Sequence, residues 1–307
     1  IISMRESKLV SLLDRIISRL VASRFVLSLL EIREHDLMVY IGGSLFMDTT
    51  SLAYWKRESR FYHQIKIPYY ILGSNVGPIR TDKFIAILSD IFRNARDVCF
   101  RDQASYDVFK EIPTTRLATD VAFTLDTSRY TISTEKIAVF SVIDGNRKFN
   151  PSITTHYEQE TGRLIQQLVV TGYKVILMSF CKHEGDEVAV NKILQSIGSD
   201  LRESVEAHYY RGNLDEAIKV LAKSEVIVAS RFHAAILGLL LGKKVLPMAY
   251  SDKTTNILRD MSFTGPVVDI RKIKDFDGAT FDFEALQINN VGNQVKLAEK
   301  QFQELDK

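Results

Sequence analysis

The sequence predicts an α/β protein built as two doubly wound parallel-sheet domains that face a common cleft. Three observations carry this. Short apolar runs alternate with segments of helical period from about residue 36 to residue 260. Most of these runs close on Gly, Ser, Asn or Asp, the residues that turn a strand into a helix. The rhythm then restarts after a polar stretch at Asp126–Lys136 that has no periodicity of its own. Strands that are apolar on both faces and alternate with helices belong to a parallel sheet covered on both sides.

The elements follow in order. Residues 4–31 set Leu, Ile and Val at helical spacing among Arg5, Lys8, Asp14, Arg15, Arg19 and Arg24, which predicts a helix. Asp36–Ile41 reads as a buried strand closed by Gly42-Gly43-Ser44. A helix over 51–65 and a strand over Lys66–Leu72 come next, closed by Gly73-Ser74-Asn75-Val76-Gly77-Pro78. A helix over 81–94, the strand Asp97–Phe100, a helix from Asp102 to Lys110 and a short strand near Thr115–Ala118 complete the first half. Asp126–Lys136 is expected to be the linker, giving an N-terminal domain over 1–130 and a C-terminal domain over 131–307.

The second half opens with strand Ile137–Val142, a loop at Asp144-Gly145-Asn146 and a helix to about Val170. Strand Tyr173–Ser179, helix 186–197, a strand near His208–Tyr210 and helix 213–223 lead to strand Glu225–Ala229. An apolar helix beginning near Arg231 and a strand at Lys244–Met248 follow. Residues 283–306 carry Leu286, Val291, Val295, Leu297 and Phe302 among charges and are expected to form one amphipathic helix, which could pack back on the first domain.

Composition excludes several classes. A formal net charge of +2 is too close to neutral for a nucleic-acid-binding face. The two cysteines, Cys99 and Cys181, give neither a disulfide framework nor a zinc pattern, and no metal or cofactor is expected. No apolar run is long enough to span a bilayer, so the expected location is the cytoplasm. The chain opens within a helical pattern and not on methionine, so further sequence is expected before Ile1. Arg15, Arg19 and Arg24 beside Leu and Ile suggest either an ordinary cover helix, the plainer reading, or contact with the inner membrane surface near a lipid-linked acceptor.

Chemistry is expected at strand C-termini, where open α/β sheets bind ligands. Four patches fall there in the first half: Gly42-Gly43-Ser44 with Asp48, Gly73-Ser74-Asn75, Arg101-Asp102 with Ser105, and Asp120. Each is also explained by capping alone, and Asp102 reads most simply as a helix N-cap. In the second half, the cations of Asp144-Gly145-Asn146-Arg147-Lys148 read as solvated turn charges. Ser179–Asp186 mixes Cys181, His183 and carboxylates at no metal-binding spacing and reads as a capped helix start.

Ser230-Arg231-Phe232-His233-Ala234 differs from these. Arg231 and His233 are the polar exceptions in a run that wants burial, placed where a helix N-terminus favours negative charge. The plain alternatives are a carboxylate partner for Arg231 and a core role for His233. A helix start supplies a dipole but no carboxylate, so an anionic ligand is the expected partner. The next strand delivers Tyr250, Ser251, Asp252 and Lys253 to the same edge.

Taken together, Tyr40–Ser44, Leu72–Pro78, Phe100-Arg101-Asp102 with Ser105, Ala118–Phe123, and Ser230–Ala234 with Tyr250–Lys253 resemble the polysaccharide pyruvyl transferase family in type and order. The resemblance implies Rossmann-like domains in a GT-B-like arrangement. It also implies transfer of a pyruvyl group from phosphoenolpyruvate to a sugar of a bacterial-type exopolysaccharide, capsule or cell-wall glycan as a ketal. Arg231, His233 and Lys253 match its donor-binding residues, and Ser230 and Tyr250 join them as neighbours. Gly43, Ser44, Asn75 and Arg101 would border the acceptor. His233 is expected to be the general acid or to stabilise the departing phosphate, with Asp48 or Asp120 as base. The family's usual opening strand and Gly/Asn-rich loop are absent ahead of the first helix. Competing readings are a GT-B glycosyltransferase with a nucleotide-sugar donor and a non-catalytic glycan-binding protein.

Overall fold

The computed structural model describes residues 35–49, 51–130 and 133–305. The helix expected over 4–31 lies outside them. The chain divides into two compact units, residues 1–120 with 301–307, and residues 121–300.

The first unit is a parallel sheet of β1 (Met38–Ile41), β2 (Tyr69–Ser74), β3 (Asp97–Phe100) and β4 (Thr115–Leu117), hydrogen-bonded in that order. Its helices are α1 (Leu52–Gln64), α2 (Asp82–Asn94) and α3 (Gln103–Phe109). Ser51, Thr81 and Asp102 cap them, each side-chain oxygen accepting a backbone N–H of the first turn. The core is aromatic: Phe92 packs edge-on against Phe46, Phe100 and Phe109 at centroid distances of 5.1, 5.5 and 4.9 Å. Strand β1 was expected to be buried, yet Ile41 is exposed, and β1 is the edge of the sheet among the described residues.

The register of β2 against β3 shifts between Leu72 and Ser74. Gly73 sits there at φ +64°, and its N–H leaves the ladder to donate to Gln301 Oε1 at 2.8 Å. Gln301 Nε2 in turn donates to Thr119 O at 2.8 Å, and Arg116 Nη2 donates to Gln301 O at 2.7 Å. A single, fully buried glutamine thus fixes the C-terminal residues to the first unit.

The second unit is a six-stranded parallel sheet in the order β10-β9-β8-β5-β6-β7. The strands are β5 (Ile137–Ser141), β6 (Lys174–Ser179), β7 (Val205–Tyr209), β8 (Val226–Ala229), β9 (Lys244–Ala249) and β10 (Val268–Asp269). The helices are α4 (Pro151–Val170), α5 (Asp186–Ser196), α6 (Ser199–Arg202), α7 (Leu214–Lys223), α8 (Phe232–Leu240), α9 (Asp252–Asp260) and α10 (Gly292–Glu299). Alternate strand residues feed two cores. Phe140 and Val228 pack with Tyr157, Leu164 and Ile193 on one face. Val139 and Ile227 pack with Leu221, Ala235 and Leu239 on the other. Helix α8 lies close on the sheet because residue 238 is glycine: a Cβ there would come within 2.9 Å of Ile227 Cδ1 and Val245 Cγ2.

Two boundaries differ from the sequence reading. The expected linker at 126–136 is not one: Tyr130 is buried against the second core, its hydroxyl donates to Asp215, and the units part between Asp120 and Val121. Composition cannot tell a polar connector from a polar segment held by one aromatic anchor. Nor is 283–306 one helix. It is a turn at Phe283–Ala285, a coil, and α10 from Gly292. Helix α10 packs within the second unit, while Gln301 and the residues after it belong to the first.

Trp55 is the only tryptophan of the chain and is buried in the first unit, with Phe84 at 5.2 Å and its indole N–H donating to Met47 O. Its fluorescence therefore reports unfolding of that unit. Phe92→Ala, which empties the centre of the aromatic cluster, should cost about 3–5 kcal/mol in a urea titration followed by Trp55 emission. Circular dichroism of the second unit's transition should move far less.

Candidate functional site

In the second unit the chain runs β5 to β6 to β7 in one direction, then returns to place β8 on the other side of β5. The C-terminal ends of β5 and β8 therefore flank a topological switch point, where a crevice opens for ligands. Ser141 ends β5 opposite Ala229 of β8. It lies on the same strand face as Val139, toward the core that holds α8. Its hydroxyl is buried and makes no hydrogen bond among the described residues.

Ser230 follows β8. Its N–H donates to Ser141 O at 2.9 Å, and its hydroxyl shares a 2.9 Å hydrogen bond with Tyr157 Oη. Tyr157 Oη also accepts from Ile143 N at 3.3 Å. Burial raises the Tyr157 phenol to about 12 against the opposing bond to Ser230, so it stays protonated at neutral pH. Arg231 is the N-cap residue of α8, and its own side chain makes no capping hydrogen bond. The positive end of the helix dipole lies at the switch point.

The sequence reading gave Arg231 no carboxylate, and here the structure corrects it. Arg231 Nε donates to Asp186 Oδ2 at 3.0 Å, Nη2 donates to Asp186 Oδ1, and Nη1 donates to Glu184 Oε2 at 2.8 Å. Asp186 is fully buried and also accepts from Phe180 N and Cys181 N at 3.2 and 2.8 Å. It was read as part of a helix cap, but the N-cap of α5 is Gly185, and Asp186 points back into the strand exit. His233 was expected in a setting that wants burial; it is exposed, on the second residue of α8, with its ring edge-on to Phe232 at 5.2 Å. The structure therefore places Arg231 partly inside and His233 outside.

Lys148 and Glu184 were missed as site residues. Lys148 was read as a solvated turn charge. Instead its Nζ lies 2.8 Å from Glu184 Oε2 and 5.3 Å from the centroid of the Tyr250 ring. The residues Ser230, Arg231 and Tyr250 are thus brought together through Glu184 and Lys148, from the ends of β5, β6, β8 and β9. Lys253 is the second residue of α9, which begins beside α8 at the end of the adjacent strand, and α9 also starts without a side-chain cap. The loops after β5 and β6 interlock at Gly185: it has φ +85°, and a Cβ there would meet Asp144 Oδ2 at 2.7 Å. The missed pair left one faint trace in the sequence, a lysine and a glutamate each a few residues beyond a strand end.

Burial alone would raise the Glu184 carboxyl, but the Lys148 and Arg231 hydrogen bonds outweigh it and lower it from 4.5 to about 2. For Arg231, burial opposes the charge and the bonds to Asp186 restore it, so the guanidinium stays protonated.

In the first unit, Ser44 Oγ donates to Asn75 Oδ1 at 3.0 Å, Arg101 Nη2 donates to the same oxygen at 2.8 Å, and Asn75 N donates to Gly43 O at 3.3 Å. The four expected acceptor residues therefore meet. The two expected bases do not survive. Asp120 is buried and held at 2.6 Å by Arg101 Nη1. Asp48 is buried and its Oδ2 accepts from Arg80 N, Thr81 N and Thr81 Oγ1, ordering the entry to α2. The Oδ2 oxygen of each is thus committed to holding the strand ends and the entry to α2. Asp102 caps α3, as its plain reading had it.

Two parallel-sheet units with a cation-bearing strand edge define a GT-B-class α/β protein. The solved structure of Alr3699/HepE from Anabaena, in complex with UDP, is similar to it with a TM-score of 0.50 at 12% identity, over 92% of this chain and 79% of that one. Within that class the sequence pattern of polysaccharide pyruvyl transferases matches residues 2–252, and the chain belongs to that family. It is 21% identical over 279 residues to the amylovoran biosynthesis protein AmsJ of Erwinia amylovora. The match covers 80% of this chain and 64% of AmsJ, so the chain spans less than two thirds of that relative. Among the described residues, no helix is long and apolar enough to cross a membrane.

Asp186→Asn leaves Arg231 buried against a neutral amide and should destabilise the second unit by about 3–5 kcal/mol in chemical denaturation. In a carbon-detected NMR titration the Glu184 carboxyl should stay ionised until about pH 2. Because its pKa is lowered on folding, its contribution is complete above the unfolded value of 4.5 and is lost as pH falls toward 2. Lys148→Met should move that titration back toward 4.5.

Proposed function

We propose that this chain moves a pyruvyl group from phosphoenolpyruvate to a sugar of a bacterial-type exopolysaccharide, capsule or cell-wall glycan, forming a pyruvate ketal. The family supports a transferase acting on polysaccharide. The observation that carries the finer reading is the start of α8 at the switch point, with Arg231 as its N-cap residue, His233 exposed on its first turn and the buried Ser141 hydroxyl at the end of the neighbouring strand. A compact ligand with both a phosphate and a carboxylate suits a helix start set beside side-chain cations.

In the reaction the methylene carbon of the enol gains a proton, and a sugar hydroxyl oxygen bonds to the adjacent carbon. The carbon–oxygen bond to phosphate breaks, and a second hydroxyl closes the ketal. His233 is exposed at the helix start, and its imidazole is the group that delivers the proton to the methylene carbon. Lys253 balances the charge that gathers on the departing phosphate, while Arg231 holds the donor's carboxylate. Two hydroxyl protons are released overall; one ends in the new methyl group and one on hydrogen phosphate. The leaving phosphate can therefore take the proton for which Asp48 or Asp120 was sought. Of the acceptor-side candidates, Asn75 and Arg101 are buried and hold Ser44, whose partly exposed hydroxyl is the group left to meet a sugar.

Incubation with phosphoenolpyruvate and a panel of saccharide acceptors should give a product heavier by pyruvate less water, with one inorganic phosphate released per transfer. Transfer from nucleotide sugars with no reaction of phosphoenolpyruvate would replace this reading with a glycosyltransferase. His233→Ala should lower turnover by about 10²-fold or more with an unchanged melting temperature. Wild-type turnover in that variant would remove His233 from the chemistry.

A further inference from the structure

We propose that Glu184 occupies the donor's carboxylate subsite in the resting protein, and that the donor binds by displacing it from Lys148 and Arg231. This rests on the phosphoenolpyruvate reading for the identity of the ligand.

The two carboxylates on Arg231 are not equivalent. Asp186 is fully buried and holds Nε and Nη2, the side-on edge of the guanidinium. It also closes the β6 exit by accepting two backbone N–H groups. It cannot leave without exposing those donors. Glu184 takes the remaining nitrogen, Nη1, and its side chain is 41% exposed against 0% for Asp186. Its carboxylate can turn into water on leaving and uncovers no buried backbone donor when it does.

Glu184 Oε2 also meets Lys148 Nζ at 2.8 Å, so one carboxylate oxygen bridges two cations from different strand ends. Lys148 stands over the Tyr250 ring, which keeps its ammonium at this spot after Glu184 leaves. A free carboxylate of the same size, charge and geometry fits the same two donors. Its phosphate, a few bonds away, is then free to lie toward the start of α8 and the side of Lys253. Glu184 closes the short 3₁₀ turn Lys182–Glu184 and is followed by Gly185 at φ +85°, whose conformation is already glycine-only, so the carboxylate hangs on a turn and not on a regular helix.

Lys148 is thereby a donor-binding residue and Glu184 a competitor of the substrate. The competitor balances Lys148 and the outer nitrogen of Arg231 in the empty protein, so a ligand must bring an anionic group of its own to take its place. Removing its charge should strengthen donor binding, whereas a salt bridge of purely structural value would weaken it or leave it unchanged.

The test is calorimetric titration of phosphoenolpyruvate, pyruvate and inorganic phosphate into the wild type, Glu184→Gln and Lys148→Met, with the melting temperature of each recorded. Phosphoenolpyruvate and pyruvate should bind Glu184→Gln about tenfold tighter than the wild type, and Lys148→Met about tenfold weaker. Inorganic phosphate should change by much less in both. If phosphoenolpyruvate binds the wild type but Glu184→Gln binds it equally or more weakly, the displacement is overturned. A gain confined to inorganic phosphate overturns the carboxylate assignment. If the wild type neither binds nor consumes phosphoenolpyruvate while pyruvate still gains on Glu184→Gln, the subsite stands and the donor reading falls.

Discussion

The buried carboxylate of Asp186 is the interaction on which the second unit's strand edge depends. It accepts Phe180 N and Cys181 N where β6 ends, and it grips Arg231 where α8 begins. One side chain therefore fixes the relation between two strand exits on either side of the switch point. Its worth is not chiefly net stability, because a buried ion pair returns little more than its own desolvation. What it supplies is direction. With Nε and Nη2 engaged by Asp186, Nη1 is the one nitrogen of Arg231 left for a partner that can leave, and Glu184 holds it.

The two units treat their charges differently, and the contrast separates scaffold from site. In the first unit Arg101 pairs with Asp120 and Arg116 with Asp97, with the carboxylates almost wholly enclosed. These pairs tie strand ends together, and beside Arg101 the Ser44 hydroxyl and the Asn75 amide form a neutral hydrogen-bonded pair. Neutral hydrogen-bonding groups suit a sugar, which has hydroxyls to exchange and no charge to balance. In the second unit the pairing is lopsided: Asp186 is inside, Glu184 is half outside, and Lys148 rests on an aromatic face. That is an edge where charge can change partners, as an anionic donor requires.

Much of the fold was legible because its strands are continuous apolar runs. Ile137–Ser141 and Val226–Ala229 are buried at every position, so each announces itself within a few residues. The start of α8 was legible for a similar reason, since Arg231 and His233 stand out against Ala234, Ala235 and Ile236. The failures have a common physical source. Tyr130, Gln301 and Asp186 each act through a partner far along the chain: Asp215, Gly73 and Arg231. No local pattern encodes such a partner. The same holds for Asp48, whose position after a glycine turn looks catalytic until its acceptor oxygen is found spent on Arg80 and Thr81. Lys148 and Glu184 escaped notice because each is an ordinary loop charge taken alone. Only the pairing of β5 with both β6 and β8 brings their loops together.

Losing Asp48 and Asp120 as bases sharpens the chemistry under the proposed reaction. A hydroxyl attacking an activated enol carbon needs its proton removed late, when the new bond is nearly formed. The nearest strong base at that moment is the phosphate that is leaving, not a carboxylate already locked into a strand end. The protein's task then reduces to holding three oxygens of phosphate at a helix start, holding a carboxylate between two cations, and delivering one proton to carbon. Arg231, His233 and the start of α8 all stand at the β8 exit, and Lys148 reaches them from the exit of β5, its neighbour across the switch point. The departure of Glu184 would coincide with arrival of the donor, so the cations would never be left bare in either state. An edge built this way stays electrically balanced through the cycle, with the competing carboxylate and the substrate taking turns on the same pair of nitrogens.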